Sequence, residues 1–287
     1  MKNKKNKKLY VVISVIIITI LSIFIILALK GIYGSSSKQI NKGYNFLHDL
    51  QKVNAINKGQ SIHIKDFQEV KRISDFSNVK YTLVNNNYVT ELDEEYNVVG
   101  FFEQSVNKIY NVDELTEEEC IEYANKYLNS IYKDDIVFKE IKDKESNENP
   151  FYTISFYKMH NNYICYSSEV LVKINKYDGS LCGYSNYSTN NGEFLSDINI
   201  SEEESKDIFS NYMKELGFEG EIIGKPKVGY VNIDGEANQI CYLILYRITE
   251  KDNTVKFSDV IINADTGEII KHSNNIMELL PDENSSN

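Results

Sequence analysis

Two stretches of the chain carry one rhythm of polar and apolar positions. After Thr116-Glu117-Glu118-Glu119, the residues Cys120, Tyr123, Ala124, Tyr127, Leu128 and Ile131 fall at i, i+3, i+4, i+7, i+8 and i+11. After Ser201-Glu202-Glu203-Glu204, the residues Ser205, Ile208, Phe209, Tyr212, Met213 and Leu216 occupy the same frame. This spacing predicts two amphipathic helices, each with one apolar face to bury. Thr116 with Glu119, and Ser201 with Glu204, read as capping boxes: the hydroxyl caps the helix start and the glutamate reaches back. The acidic first turns suit the helix dipole, and Gly217 ends the second helix.

Strand patterns follow each helix. In residues 151–159, Tyr152, Ile154 and Phe156 alternate with Thr153, Ser155 and Tyr157, while residues 240–248 are apolar on both faces. Each set ends in a hairpin pattern. Residues 174–185 read INKYDGSLCGYS and residues 262–273 read INADTGEIIKHS, aligned without a gap at a separation of 88. Residues 92–102, LDEEYNVVGFF, fit the same frame 82 residues earlier. The turn position falls on Asn97, Gly179 and Gly267, residue types that tolerate positive φ. Asp265-Thr266-Gly267 is also the tripeptide of aspartic peptidases, but that chemistry needs two aspartates sharing a proton and the chain has one such tripeptide. The corresponding positions carry Tyr177 and Glu95, so the hairpin reading is preferred and no catalytic residue is assigned.

The start of the chain differs from the rest. Lysines crowd residues 1–8, and residues 9–29, LYVVISVIIITILSIFIILAL, carry no charge. Such a run is about 31 Å long as a helix, the thickness of a bilayer core, and predicts a transmembrane helix. The lysines predict a cytoplasmic tail over residues 1–8, with everything after Lys30 outside the cell. Setting aside the five terminal lysines and Lys30 turns the formal net charge of −11 into −17 for the remainder, a sign that repels nucleic acid. Residues 34–111 predict a helix near residues 39–50 and strands near 80–84, 88–92 and 98–102, a possible diverged copy of the same unit. The last residues, 277–287, read as a disordered tail.

Little else in the sequence carries chemistry. His48, His63, His160 and His272 are scattered and without ligand spacing, so neither a metal nor another cofactor is expected. Cys120, Cys165, Cys182 and Cys241 show no CxxC spacing, and their three possible pairings stay open. There are 21 tyrosines and no tryptophan. Tyr157, Tyr163, Tyr166, Tyr184 and Tyr187, on strands near the hairpin at 174–185, form a candidate partner-binding face.

The order of capping box, amphipathic helix, strands and terminal hairpin resembles the PepSY domain family. It is carried by TEEECIEYANKYL with INKYDGSL in one copy and SEEESKDIFSNYM with INADTGEI in the next. The resemblance implies an α+β chain of cystatin-like modules at residues 112–190 and 198–276, each one helix packed on an antiparallel sheet, behind the N-terminal transmembrane helix. It further implies a non-enzymatic, membrane-anchored extracellular protein that inhibits, chaperones or localises a peptidase or cell-wall hydrolase. The alternative is a sensory accessory relaying an extracellular ligand signal to a membrane partner.

Overall fold

The computed structural model describes residues 38–70, 76, 78–104, 113–142, 149–188, 192–233, 235, 237–249 and 254–273. Within them the chain makes one helix and a run of strands three times over. Helix α1 (Lys38–Lys52) precedes β1 (Phe67–Val70), β2 (Tyr81–Asn85), β3 (Tyr88–Leu92) and β4 (Val98–Glu103). Helix α2 (Glu117–Ile131) precedes β5 (Ile136–Lys142), β6 (Phe151–His160), β7 (Tyr163–Asn175) and β8 (Leu181–Ser185). The short β9 (Glu193–Leu195) leads to α3 (Glu202–Glu215), then β10 (Gly220–Ile222), β11 (Lys227–Ile233), β12 (Ala237–Thr249), β13 (Val255–Asn263) and β14 (Ile269–Ser273).

Both predicted capping boxes are formed. The Glu119 N–H donates to Thr116 Oγ1 at 3.2 Å while the Thr116 N–H donates to the Glu119 carboxylate at 2.8 Å. Ser201 and Glu204 repeat the exchange at 3.2 and 2.8 Å. Each box satisfies two of the N–H groups that a helix start leaves over.

The expected row of modules, each one helix on its own antiparallel sheet behind a transmembrane helix, is not what the described residues form. All strands join one 14-stranded sheet that outweighs the three helices. Its path runs β1-β2-β3-β4-β8-β7-β11-β12-β13-β14, with β5 and β6 branching from β7 and with β9 and β10 on β12. The reason is the cost of a sheet edge, whose backbone groups need partners. Here β4 pairs antiparallel with β8 through Gly100↔Ser185, Phe101↔Tyr184 and Phe102↔Gly183. β11 pairs parallel with the start of β7 through Gly229↔Ile164 and Tyr230↔Cys165. The predicted span at residues 9–29 and the tails at 1–8 and 277–287 lie outside the described residues. Among the described residues no helix is long and apolar enough to cross a membrane.

The cores divide in the same way. α1 and α2 share one: Phe46, Leu47 and Leu50 with Ala124, Tyr127 and Leu128, over Leu83, Phe101, Ile154 and Val172. α3 covers a second, where Phe209 and Met213 pack on Tyr230, Tyr242, Ile244, Tyr246 and Ile262. The alternate residues Cys241 and Leu243 face the other way, with Val231, Ile261, Tyr157 and Tyr166, in a third. β12 is thus buried on both faces, which is why its sequence is a continuous apolar run.

Candidate functional site

The hairpins come first because they carry the catalytic-looking tripeptide. Gly179 and Gly267 have φ of +69° and +74°, the left-handed region their residue type was expected to supply. In the first copy the positive φ, +68°, falls on Tyr96 and not on Asn97. That turn is one residue shorter: the Asp93 N–H donates to Asn97 O, whereas Asn175 donates to Ser180 O and Asn263 to Glu268 O. All three turns share a feature the glycine frame did not reveal. The side-chain oxygens of Asp93, Asn175 and Asn263 accept from the N–H two residues on, Glu95, Tyr177 and Asp265, at 2.9, 2.9 and 2.8 Å. These are Asx turns, legible in the sequence as Asp or Asn closing each inner strand. Asp265 itself is exposed and accepts from Asn199 Nδ2 at 2.6 Å. Its surroundings are those of a turn.

The five tyrosines do not share a surface. Tyr157, Tyr166 and Tyr184 are 0%, 8% and 4% exposed, and only Tyr163 and Tyr187 are half-buried. Tyr184 lies on the helix side of the sheet, in the core of α1 and α2. Tyr157 and Tyr166 lie on the opposite side, ring to ring at 5.5 Å. Tyr187 stacks on Phe76 at 4.0 Å and donates to the buried Glu91. An exposed tyrosine face therefore fails here, because both faces of this sheet are covered.

The thiols are equally enclosed. All four cysteines are buried and none is in a disulfide, and burial pushes Cys120 up to about 11 and Cys182 and Cys241 up to about 12. Thiols held that high are poor nucleophiles. Among the described residues no group of His, Cys, Asp and Glu side chains is placed to hold a metal ion.

What the fold does shape is a pair of clefts around Lys158. The larger, about 680 Å³, lies between α1, the 93–97 turn, the end of α2 and the end of β8. Phe46, Tyr96, Tyr132, Tyr184, Asn45 and Asn186 give it aromatic faces and amide groups. The smaller, about 410 Å³, lies on the other side of the α2–β5 connection and reaches His160 and Phe194, which stack at 3.7 Å. Tyr132, Lys133, Asp134 and Lys158 line both.

Lys158 arrives there by the alternation of β6, on the helix side with Ile154 and Phe156. Between Tyr157 and Lys158 the pairing of β6 with β7 slips, and the lysine is 7% exposed with its ammonium donating to the Ser188 carbonyl. Burial lowers it to about 8, and Asp134 opposes the shift. Sequence reading passed over Lys158 because a lysine beside an alternating strand looks like a solvent-facing position. Tyr96 adds a second oddity to the larger cleft, since an aromatic residue at positive φ is held by its surroundings: it stacks on Tyr81 at 5.3 Å, beneath Lys38 Nζ at 4.6 Å.

A third cavity, about 520 Å³, opens between the loop after α1 and the 175–181 hairpin. Glu103 and Asp178 line it, and burial followed by the Asp178 charge raises the Glu103 carboxyl. On the far face Glu169 accepts from Lys139, Lys142 and Ser155. Burial pushes its carboxyl up, but the three hydrogen bonds outweigh this and hold it below the usual range.

No family model matches the chain, and no curated protein matches it. Among solved structures it is similar to the Bacillus megaterium YpeB C-terminal domain, at 16% identity and a TM-score of 0.50, covering 80% of this chain and 96% of that one. At that identity the likeness speaks of fold alone, and with the repeated helix and hairpin it makes the fold of this chain PepSY-like.

Proposed function

We propose that this chain is a non-enzymatic regulator that binds a peptidase or cell-wall hydrolase outside the cytoplasm and inhibits, chaperones or localises it. The observation that carries the reading is the PepSY-like fold, shared along 80% of the chain with the YpeB domain. It agrees with the family resemblance of the helix and hairpin sequences. Asp265 supports it too: in an exposed turn its carboxylate accepts from the Asn199 side-chain amide while its N–H donates to Asn263 Oδ1, a structural setting. The net charge of −17 outside the lysine-rich start favours a basic partner surface. The lysine cluster ahead of residues 9–29 supports a site of action on the outer side of the cell membrane.

The test is affinity capture from envelopes of the source cells, with the full chain as bait and crosslinking before extraction. Specific recovery of a peptidase or hydrolase, whose rate then changes when the purified chain is added, is the expected result. Recovery of no such enzyme, or of one whose rate, stability and location ignore the chain, overturns the reading. Peptide cleavage by the chain that Asp265→Asn abolishes would overturn it from the other side.

A further inference from the structure

We propose that Lys158, with Lys133 at the mouth, is a receptor for a single carboxylate, presented either by a free small acid or by the end of a peptide lying in the larger cleft. The placement of Lys158 carries this. An ammonium has three N–H groups to satisfy, and the side chain is nine-tenths buried, yet among the described residues one acceptor is given to it, the Ser188 carbonyl. No ion pair reaches Lys158 or Lys133 among the described residues. Asp134 lines the same clefts without pairing to it directly, so the ammonium keeps N–H groups open toward the space where the clefts meet. Both clefts meet at this group, so an acid has a way in from either side.

The charge balance favours a carboxylate over a more highly charged phosphate. Asp134 and Asp135 stand beside the lysine pair on the α2–β5 connection, and Asp49, Lys42 and Asp93 face it across the larger cleft. The lining of the larger cleft is neutral in sum, Lys42, Lys133 and Lys158 against Asp49, Asp93 and Asp134, so a singly charged acid drawn by the open N–H groups of Lys158 fits it better than a multiply charged one. The amide groups of Asn45 and Asn186 and the rings of Tyr96 and Tyr132 suit a peptide leading up to that carboxylate. In an otherwise acidic protein a neutral lining spares an incoming acid the repulsion it meets over the rest of the surface.

The inference does not depend on the enzyme-regulator reading, and its test uses no enzyme. The full chain is titrated by calorimetry with acetate, with N-acetylalanyltyrosine and with the C-terminal amide of that dipeptide. The acid dipeptide is expected to bind and the amide to bind at least about tenfold more weakly, the loss of one charged hydrogen bond. Binding by acetate comparable to the acid dipeptide identifies a free acid as the ligand, and preference for the dipeptide identifies a peptide end. Because a neutral amine cannot hold the carboxylate, affinity falls as pH rises through the value near 8 at which Lys158 loses its proton. The drop is more than about tenfold between about pH 7.5 and 9.5, above the range in which His160, on the wall of the smaller cleft, ordinarily changes charge. Lys158→Met abolishes binding, and Lys158→Arg retains it with the pH dependence removed. Should Lys158→Met fail to fold, Lys133→Met, an exposed change, still weakens the acid and leaves the amide untouched. Equal binding of acid and amide, acid binding that ignores pH, or no binding by either acid overturns the proposal.

Discussion

The sheet is joined twice, and the two joints are built differently. Where the first and second segments meet, β4 and β8 pair antiparallel over three residues, the Leu181 N–H donates to Ala55 O at 2.7 Å, and Tyr127 Oη donates to Asn54 O at 3.3 Å. α1 and α2 then cover one core in common. Where the second and third segments meet, β7 and β11 share two residue pairs, in parallel, and α3 keeps a core largely of its own. The rest of that joint is the far-face core of Tyr157, Tyr166, Val231, Leu243 and Ile261. The first joint makes one body of two segments. The second attaches a body that keeps its own stability, which is the arrangement expected of a part able to open locally.

The sharpest way to break this contrast is to empty the two helix cores in turn. Phe209→Ala removes a ring 1% exposed beneath α3 and should cost about 3 to 5 kcal/mol. Leu128→Ala removes a fully buried side chain from the shared core and should cost about 2 to 5 kcal/mol. Hydrogen exchange separates them: Phe209→Ala should lose protection in β11 to β14 while β1 to β8 keep theirs, and Leu128→Ala should lower β1 to β8 together. Equal loss everywhere in both variants would make the molecule a single cooperative body.

A smaller effect probes the far face. Glu169→Gln leaves Lys139, 5% exposed, without its main counter-charge and should cost about 2 kcal/mol at neutral pH. The sign of the pH dependence follows from the depressed carboxyl of Glu169. Its contribution is present above the ordinary carboxylate range and is lost as pH falls through the lower, folded value. Denaturant melts of the natural chain and the variant should therefore converge on acidification, and curves that stay parallel would sink the assignment. Smallest are the local elements. Gly267→Val should cost about 1 kcal/mol or more at a φ of +74°, and Thr116→Ala or Ser201→Ala about 1 kcal/mol each. Thermal melts with unchanged midpoints would show that these turns and caps are held from elsewhere.

Much of the local structure was legible. Thr116, Glu119, Ser201 and Glu204 announce two helix starts by residue type and spacing alone, and Gly179 and Gly267 announce two turns. These are short-range effects, settled within four or five residues. What escaped was settled at long range. Nothing within residues 98–103 says that β4 will find β8, or within 227–233 that β11 will find β7, so separate sheets were expected where one formed. The tyrosines failed for the same reason: Tyr157 and Tyr166 alternate as solvent-facing residues should, but a distant strand set covers them. Lys158 follows Ile154 and Phe156 on the helix side by plain alternation, and what buries it there, the α2–β5 connection and the chain around Ser188, comes from elsewhere in the sequence.

The parallel contact between β7 and β11 also fixes an order of events. β11 opens the last run of strands, yet the edge it uses, at Ile164 and Cys165, belongs to a strand finished long before it in the chain. A polypeptide that emerges N-terminus first, at a pace slower than hairpins close, therefore has its template standing when Gly229 and Tyr230 arrive. Until then that edge is bare, so a ribosome stalled before residue 227, or a nascent chain cut there, leaves a product primed to pair with the wrong neighbour.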